Sequence, residues 1–187
     1  MPELSHPFEP VWDERSRILI LGSFPSVLSR AGGFYYGNPR NRFWQVLSLV
    51  YEQDVPGDKE GKISFLLSRR LALWDALASC EVTGSADSDI KHALPNDLSL
   101  ILHRAPVGRV IANGQLAGRA VKAYDQGLDR KLIILPSTSP ANAAWPSRWD
   151  SLHGQGLLVV TLLVAATLWG SDRRRARRAD DATSDDD

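Results

Sequence analysis

The sequence predicts an α/β protein, a three-layer α/β/α sandwich built on a short, mainly parallel central sheet. Two observations lead there. The apolar runs "RILILGS" (17–23), "GRVIANG" (108–114) and "KLIIL" (131–135) have the look of strands buried on both faces. Segments with helical spacing lie between them, and strands alternating with helices specify a mainly parallel sheet covered by helices. In such folds ligands gather at the carboxyl ends of the strands. The loops leaving those ends begin at Gly22, Asn113 and Ser137, so they are expected to line one cleft.

After the first strand the chain reads as loop as far as about Arg40. Phe43, Val46, Leu47 and Val50 then recur at helical spacing, and Asn41 is placed to cap that helix. "QDVPGDKEGK" (53–62) reads as a polar turn and "ISFLLSRR" (63–70) as a second short helix. "LALWDAL" (71–77) is ambiguous between strand and helix, and "ASCEVTGSADSDI" (78–90) is loop-like. "LPNDLSLILHR" (94–104) opens on a Pro-Asn-Asp start signal and reads as a helix. "QLAGRAVKAY" (115–124) is a helix after the second strand. A long polar loop follows the third strand.

Length and composition allow a single domain over residues 1–170, with 43% hydrophobic and 24% charged residues. Basic and acidic residues balance at 22 each, so any nucleic-acid surface has to come from local clustering. Residues 171–187 hold five Arg and six Asp and are expected to be disordered. One cysteine, Cys80, excludes an internal disulfide, and the four histidines, His6, His92, His103 and His153, show no ligand spacing. No metal site is expected. The opening "MPELSHPFEP" has no basic-then-apolar leader pattern, which favours a cytoplasmic protein, and a monomer is expected.

The chemistry-bearing stretches are "GSFPS" (22–26), "GGFYYGNPRNRFWQVL" (32–47) and "LPSTSPAN" (135–142). Gly22 and Pro25 hold a fixed turn whose N–H groups can face a ligand, or form a plain strand-to-helix turn. Neither phosphate-loop pattern is present. Tyr36 or Phe34 can stack on a planar ring, whereas Tyr35, Phe43 and Trp44 read as packing. Asp75 and the aspartates at 87 and 89 read as solvated or capping groups.

These three blocks resemble the uracil-DNA glycosylase superfamily over about residues 9–150, and within it the hypoxanthine (deoxyinosine) DNA glycosylases. The resemblance implies removal of hypoxanthine from damaged DNA by hydrolysis of the N-glycosidic bond, leaving an abasic site, with no cofactor and no lysine nucleophile. It implies that Asn41, the asparagine preceding "RFW", orients water through its amide oxygen. Capping the helix and orienting water are compatible roles. Asn113 falls where relatives read the base edge, or it is simply an Asn-Gly turn. Tyr36 falls where relatives stack the extruded base, with Phe24, Phe34, Gly22 and Ser23 beside it. Arg40, Arg42, Ser137, Thr138, Ser139 and Asn142 are implied in DNA contact, since hydroxyl and N–H groups suit phosphate oxygens.

Two positions depart from the best-known branches of the superfamily. Phe24 replaces a water-positioning asparagine, and Leu135 replaces a histidine. Phe24 argues against efficient uracil excision by the usual route. Together the two make a module that binds damage without cutting an alternative, beside a uracil- or mismatch-type enzyme of the same superfamily. Residues 157–169, "LLVVTLLVAATLW", also depart from the family pattern. As a helix they span about 20 Å, short of the roughly 30 Å hydrocarbon core. A buried strand and helix are therefore expected there rather than a membrane anchor, and a shifted reading frame near residue 150 is a further explanation.

Overall fold

The computed structural model describes residues 3–82, 90–123 and 132–142, within the compact unit Met1–Ala143. The expected tail and the apolar run 157–169 lie outside the described residues. Among the described residues no helix is long and apolar enough to cross a membrane.

The central sheet is parallel and holds β2 (Ile18–Gly22), β3 (Leu71–Asp75), β6 (Arg109–Asn113) and β7 (Leu132–Leu135), in the order β3-β2-β6-β7. Leu19, Leu21, Ala72, Leu73, Val110 and Ala112 are fully buried in it. That is why these segments read as unbroken apolar runs instead of alternating ones. With the helices this makes the expected α/β sandwich. Register aligns the strand ends: Gly22 pairs with Asp75, and Asn113 with Leu135. The loops of the site thus leave one edge of the sheet.

Several elements differ from expectation. The segment after Gly22 contains helix α1 (Val27–Gly32), capped by Ser26 and closed by Gly33 at φ 72°. It is too short for a periodic pattern, although both its caps are legible. Helix α2 (Phe43–Tyr51) has Arg42, not Asn41, at its N-cap. Asn41 still serves the helix, because its Oδ1 accepts the Phe43 N–H at 3.0 Å. Helix α3 (Lys59–Ser68) starts inside the expected polar turn, with Asp58 capping the Gly61 N–H.

The ambiguous 71–77 segment is strand β3 followed after Ala76 by strand β4 (Leu77–Val82), so part of the expected 78–90 loop is strand. With β1 (Glu3–Ser5) and β5 (Ile90–Pro95), β4 builds a separate antiparallel sheet of order β1-β4-β5. The expected 94–104 helix shrinks to the single turn α4 (Ser99–Leu102). Asn96, offered as part of its start signal, is instead buried, donating to the carbonyls of Asp75 and Leu77. Helix α5 (Gln115–Ala123) falls where expected and packs on β6 and β7.

Candidate active site

A cleft of about 400 Å³ opens at the carboxyl edge of the parallel sheet. Gly22, Ser23 and Phe24 from the β2 loop line it, together with Tyr36, Arg40 and Asn41 from the segment before α2. Asn113 ends β6 at its floor, and Ser137 and Ser139 come from the loop after β7. The three anticipated loops therefore meet in one place, and the end of β3 joins them through Asp75.

A single hydrogen-bonded chain ties these loops together. Asn113 Nδ2 donates to Thr138 Oγ1 at 2.9 Å, and Thr138 Oγ1 donates to Asn41 Oδ1 at 2.8 Å. Backbone groups fix both ends, since Thr138 N–H donates to Asn113 Oδ1 at 3.0 Å and Phe43 N–H donates to Asn41 Oδ1. A second Asn113 Nδ2 bond, 3.0 Å, goes to the Tyr36 phenol.

This geometry revises three expectations. Both N–H groups of Asn113 are engaged inside the protein, so it positions Tyr36 and Thr138 and is not a free reader of the base edge. Thr138 is 5% exposed, and its hydroxyl is spent on the chain, so it is not a phosphate contact. The Asn41 oxygen already accepts two donors, so it does not hold water as expected. Among the described residues Asn41 Nδ2 has no partner, and Asn41 lines the cleft.

Tyr36 adopts φ 52°, in the left-handed region that few residues with a Cβ occupy. Its ring stacks on Phe43 with centroids 3.8 Å apart and planes at 17°. One face is thereby covered while the residue still lines the cleft. Burial, and then the charge of Asp75, push its phenol far up, with Asn113 pulling it part of the way back. It keeps its proton.

Phe34 lies elsewhere. It is buried against Trp44, and the two rings stack at 6.1 Å, so it belongs to the core and not to the base site. Tyr35 is buried as expected, its phenol donating to the Glu9 carbonyl. Phe24 remains on the cleft wall, edge-on to His6 at 5.9 Å.

Arg40 is exposed at the rim. Arg42 binds the Thr138 carbonyl through its backbone N–H at 3.1 Å. Ser137 and Ser139 each accept a loop N–H through the hydroxyl oxygen, which leaves the O–H to donate outward. Asn142 donates to the Ser137 carbonyl at 3.0 Å and so closes its own loop.

Two residues of the site were missed. Asp75, expected to be solvated, is buried, and His6 Nε2 donates to its Oδ2 at 2.8 Å. The available signal was a carboxylate closing the apolar strand "LALWD". His6 carried none, because its partner is 69 positions away. Burial raises the Asp75 carboxyl above its ordinary value, and the His6 bond and charge lower it in part.

The sequence profile of the uracil DNA glycosylase superfamily matches residues 10–153. The chain belongs to this superfamily. The match contains the parallel strands, the cleft loops and the Asn41–Thr138–Asn113 chain. A curated superfamily relative, hypoxanthine DNA glycosylase of Methanosarcina acetivorans, is 34% identical over 151 residues, covering 78% of this chain and 95% of that protein. The hypoxanthine DNA glycosylase of Methanosarcina barkeri is 32% identical over 137 residues, covering 72% and 86%. A solution NMR structure from Methanosarcina acetivorans, of a candidate uracil DNA glycosylase, matches with TM-score 0.70 at 31% identity. That match covers 84% of this chain and 96% of the other. The superfamily fold is therefore shared over most of the chain.

Proposed function

We propose that this protein is a monofunctional DNA glycosylase that hydrolyses the N-glycosidic bond of deoxyinosine, releasing hypoxanthine and leaving an abasic site. The two curated relatives carry that activity in their names and cover most of the chain. Within the cleft, the observation that carries the reading is Asn41, whose amide is locked by two donors to its oxygen and whose Nδ2 has no partner among the described residues.

The target nucleotide leaves the stack, because its glycosidic bond is out of reach inside a duplex. A cleft of about 400 Å³ lies within the range that holds a small ligand. The base rests on the uncovered face of Tyr36, a contact worth roughly 1–3 kcal/mol. Arg40 and the hydroxyls of Ser137 and Ser139 take the flanking phosphates.

As the C1′–N9 bond breaks, its electron pair goes to the base and positive charge grows on the sugar. An Asn41 N–H is a donor, the right polarity for charge collecting on a departing purine. Because Thr138 and Phe43 already hold the amide, no reorganisation is needed at that moment. Water adds to C1′ through its oxygen, and its proton finishes on the base.

The test is release of free base from duplexes carrying one deoxyinosine, deoxyuridine or deoxyxanthosine. Hypoxanthine release with an intact but alkali-labile strand is expected. Tight binding with no base released from any duplex points instead to a damage sensor.

A further inference from the structure

Asp75 ends β3 in register with Gly22 of β2, so its carboxylate sits at the floor of the cleft. A Cβ at residue 22 would lie 2.1 Å from Asp75 Oδ1, and only glycine leaves room for that oxygen. The two side chains of the His6–Asp75 pair are 4% and 6% exposed. His6 occupies Oδ2, whereas Oδ1 carries no hydrogen bond among the described residues. Asp75 lines the cleft, so this oxygen is a place for a donor to arrive.

The pair is held firmly. Asn96 clamps the backbone carbonyl of Asp75 from behind. His6 Nδ1 has the Phe8 carbonyl at 3.0 Å and the Phe8 N–H at 3.2 Å, so the ring is satisfied whether charged or neutral. Phe8, Phe24 and Tyr35 surround the ring and keep water away.

Resting on the glycosylase reading above, we propose that the His6–Asp75 pair reads the base, with Asp75 Oδ1 accepting the N1–H of a deaminated purine and His6 as the positioning residue that aims it. Hypoxanthine carries a proton on N1. Adenine presents a bare lone pair there, which a carboxylate repels in a site closed to water. An amide in the same place would rotate to suit either base, whereas the ionised carboxylate can only accept, so the discrimination is present once Asp75 has lost its proton. The pair sorts by the N1 proton alone. It separates hypoxanthine and xanthine from adenine, accepts the N3–H of uracil, and does not exclude guanine, which also carries a proton on N1.

The test measures Kd for duplexes carrying one non-cleavable 2′-fluoro-deoxyinosine or 2′-fluoro-deoxyadenosine, with the full chain and at fixed salt. Wild type should prefer the inosine duplex. Asp75→Asn should shrink that preference about ten- to hundredfold, the range for one mismatched polar contact at a base edge. His6→Ala should shrink it as well, and His6→Gln, which retains a donor, should restore part of it. If Asp75→Asn does not fold, His6→Ala and His6→Gln carry the test, and an unchanged ratio in both overturns the proposal.

A wild type without preference, or folded Asp75→Asn with an unchanged ratio, overturns the proposal. Hypoxanthine release from a cleavable duplex, measured in parallel, separates the two readings. Release with an unchanged ratio in Asp75→Asn overturns the reader and leaves the glycosylase. Preference that collapses in Asp75→Asn, without release by wild type, leaves a reader in a protein that does not cut.

Discussion

Thr138 donates its hydroxyl to the amide oxygen of Asn41 at 2.8 Å, across the cleft floor between the β7 loop and the start of α2. The same hydroxyl accepts from Asn113. Because backbone N–H groups fix the oxygen of each asparagine, neither amide can flip without losing a bond. The site is thus set before any substrate arrives, and the orientation of Asn41 depends on a threonine from a distant part of the chain.

Thr138→Val keeps the shape of the side chain and removes the hydroxyl. One N–H of Asn113 is then left without its acceptor in a buried place, and Asn41 loses one of two restraints. The expected cost is about 1–3 kcal/mol of stability, with a clear loss of single-turnover base excision. Thr138→Ser should recover most of both. Denaturant unfolding and excision under enzyme excess measure them. Normal excision by Thr138→Val would show that the chain is structural only.

Arg40 is exposed at the cleft rim, and a phosphate contact from there is electrostatic and independent of sequence. Arg40→Ala should weaken binding to undamaged and inosine-containing duplexes alike. It should also reduce the slope of log K against log salt by about 0.9, the value for one phosphate contact. Binding titrations between 50 and 200 mM salt, roughly the range where this term dominates, provide the measurement. An unchanged slope removes Arg40 from the DNA interface.

The Asp75 carboxyl is raised by burial and only partly lowered by His6. The folded protein therefore keeps this proton at a pH where the unfolded chain has released it. The stability it contributes is complete below about pH 4, the ordinary carboxyl value, and is lost as pH rises through the raised folded value. Asp75→Asn does not titrate. Wild-type stability measured relative to Asp75→Asn should fall as pH climbs from about 4 and then level off. Unfolding of both proteins at a series of pH values checks this, and a difference independent of pH contradicts it.

The parallel sheet was legible because its strands are buried on both faces and so read as unbroken apolar runs. The ends of those runs located three of the four loops of the cleft. The antiparallel sheet was not legible, since β4 carries Ser79, Cys80 and Glu81 in a pattern that reads as loop. Within the site, residue type located Asn41, Asn113 and Tyr36, but not which of their atoms are free. That depends on Thr138, which looked like a surface hydroxyl and is buried. Phe34 and Tyr36 are both aromatic letters in one loop, yet Tyr36 lines the cleft with a left-handed backbone and a phenol bonded to Asn113, and Phe34 packs on Trp44. His6 and Asp75 meet through tertiary folding alone.

Asn41 is the central claim, and single-turnover release of hypoxanthine by Asn41→Ala and Asn41→Ser tests it most directly. Both variants lose the free Nδ2. Serine keeps an oxygen for the Phe43 N–H, so stability should drop by about 1 kcal/mol in Asn41→Ala and less in Asn41→Ser. Excision should fall by roughly two to three orders of magnitude in both, the scale for losing one preorganised donor. Near-normal excision by Asn41→Ser would contradict the account and leave Asn41 as a helix restraint alone.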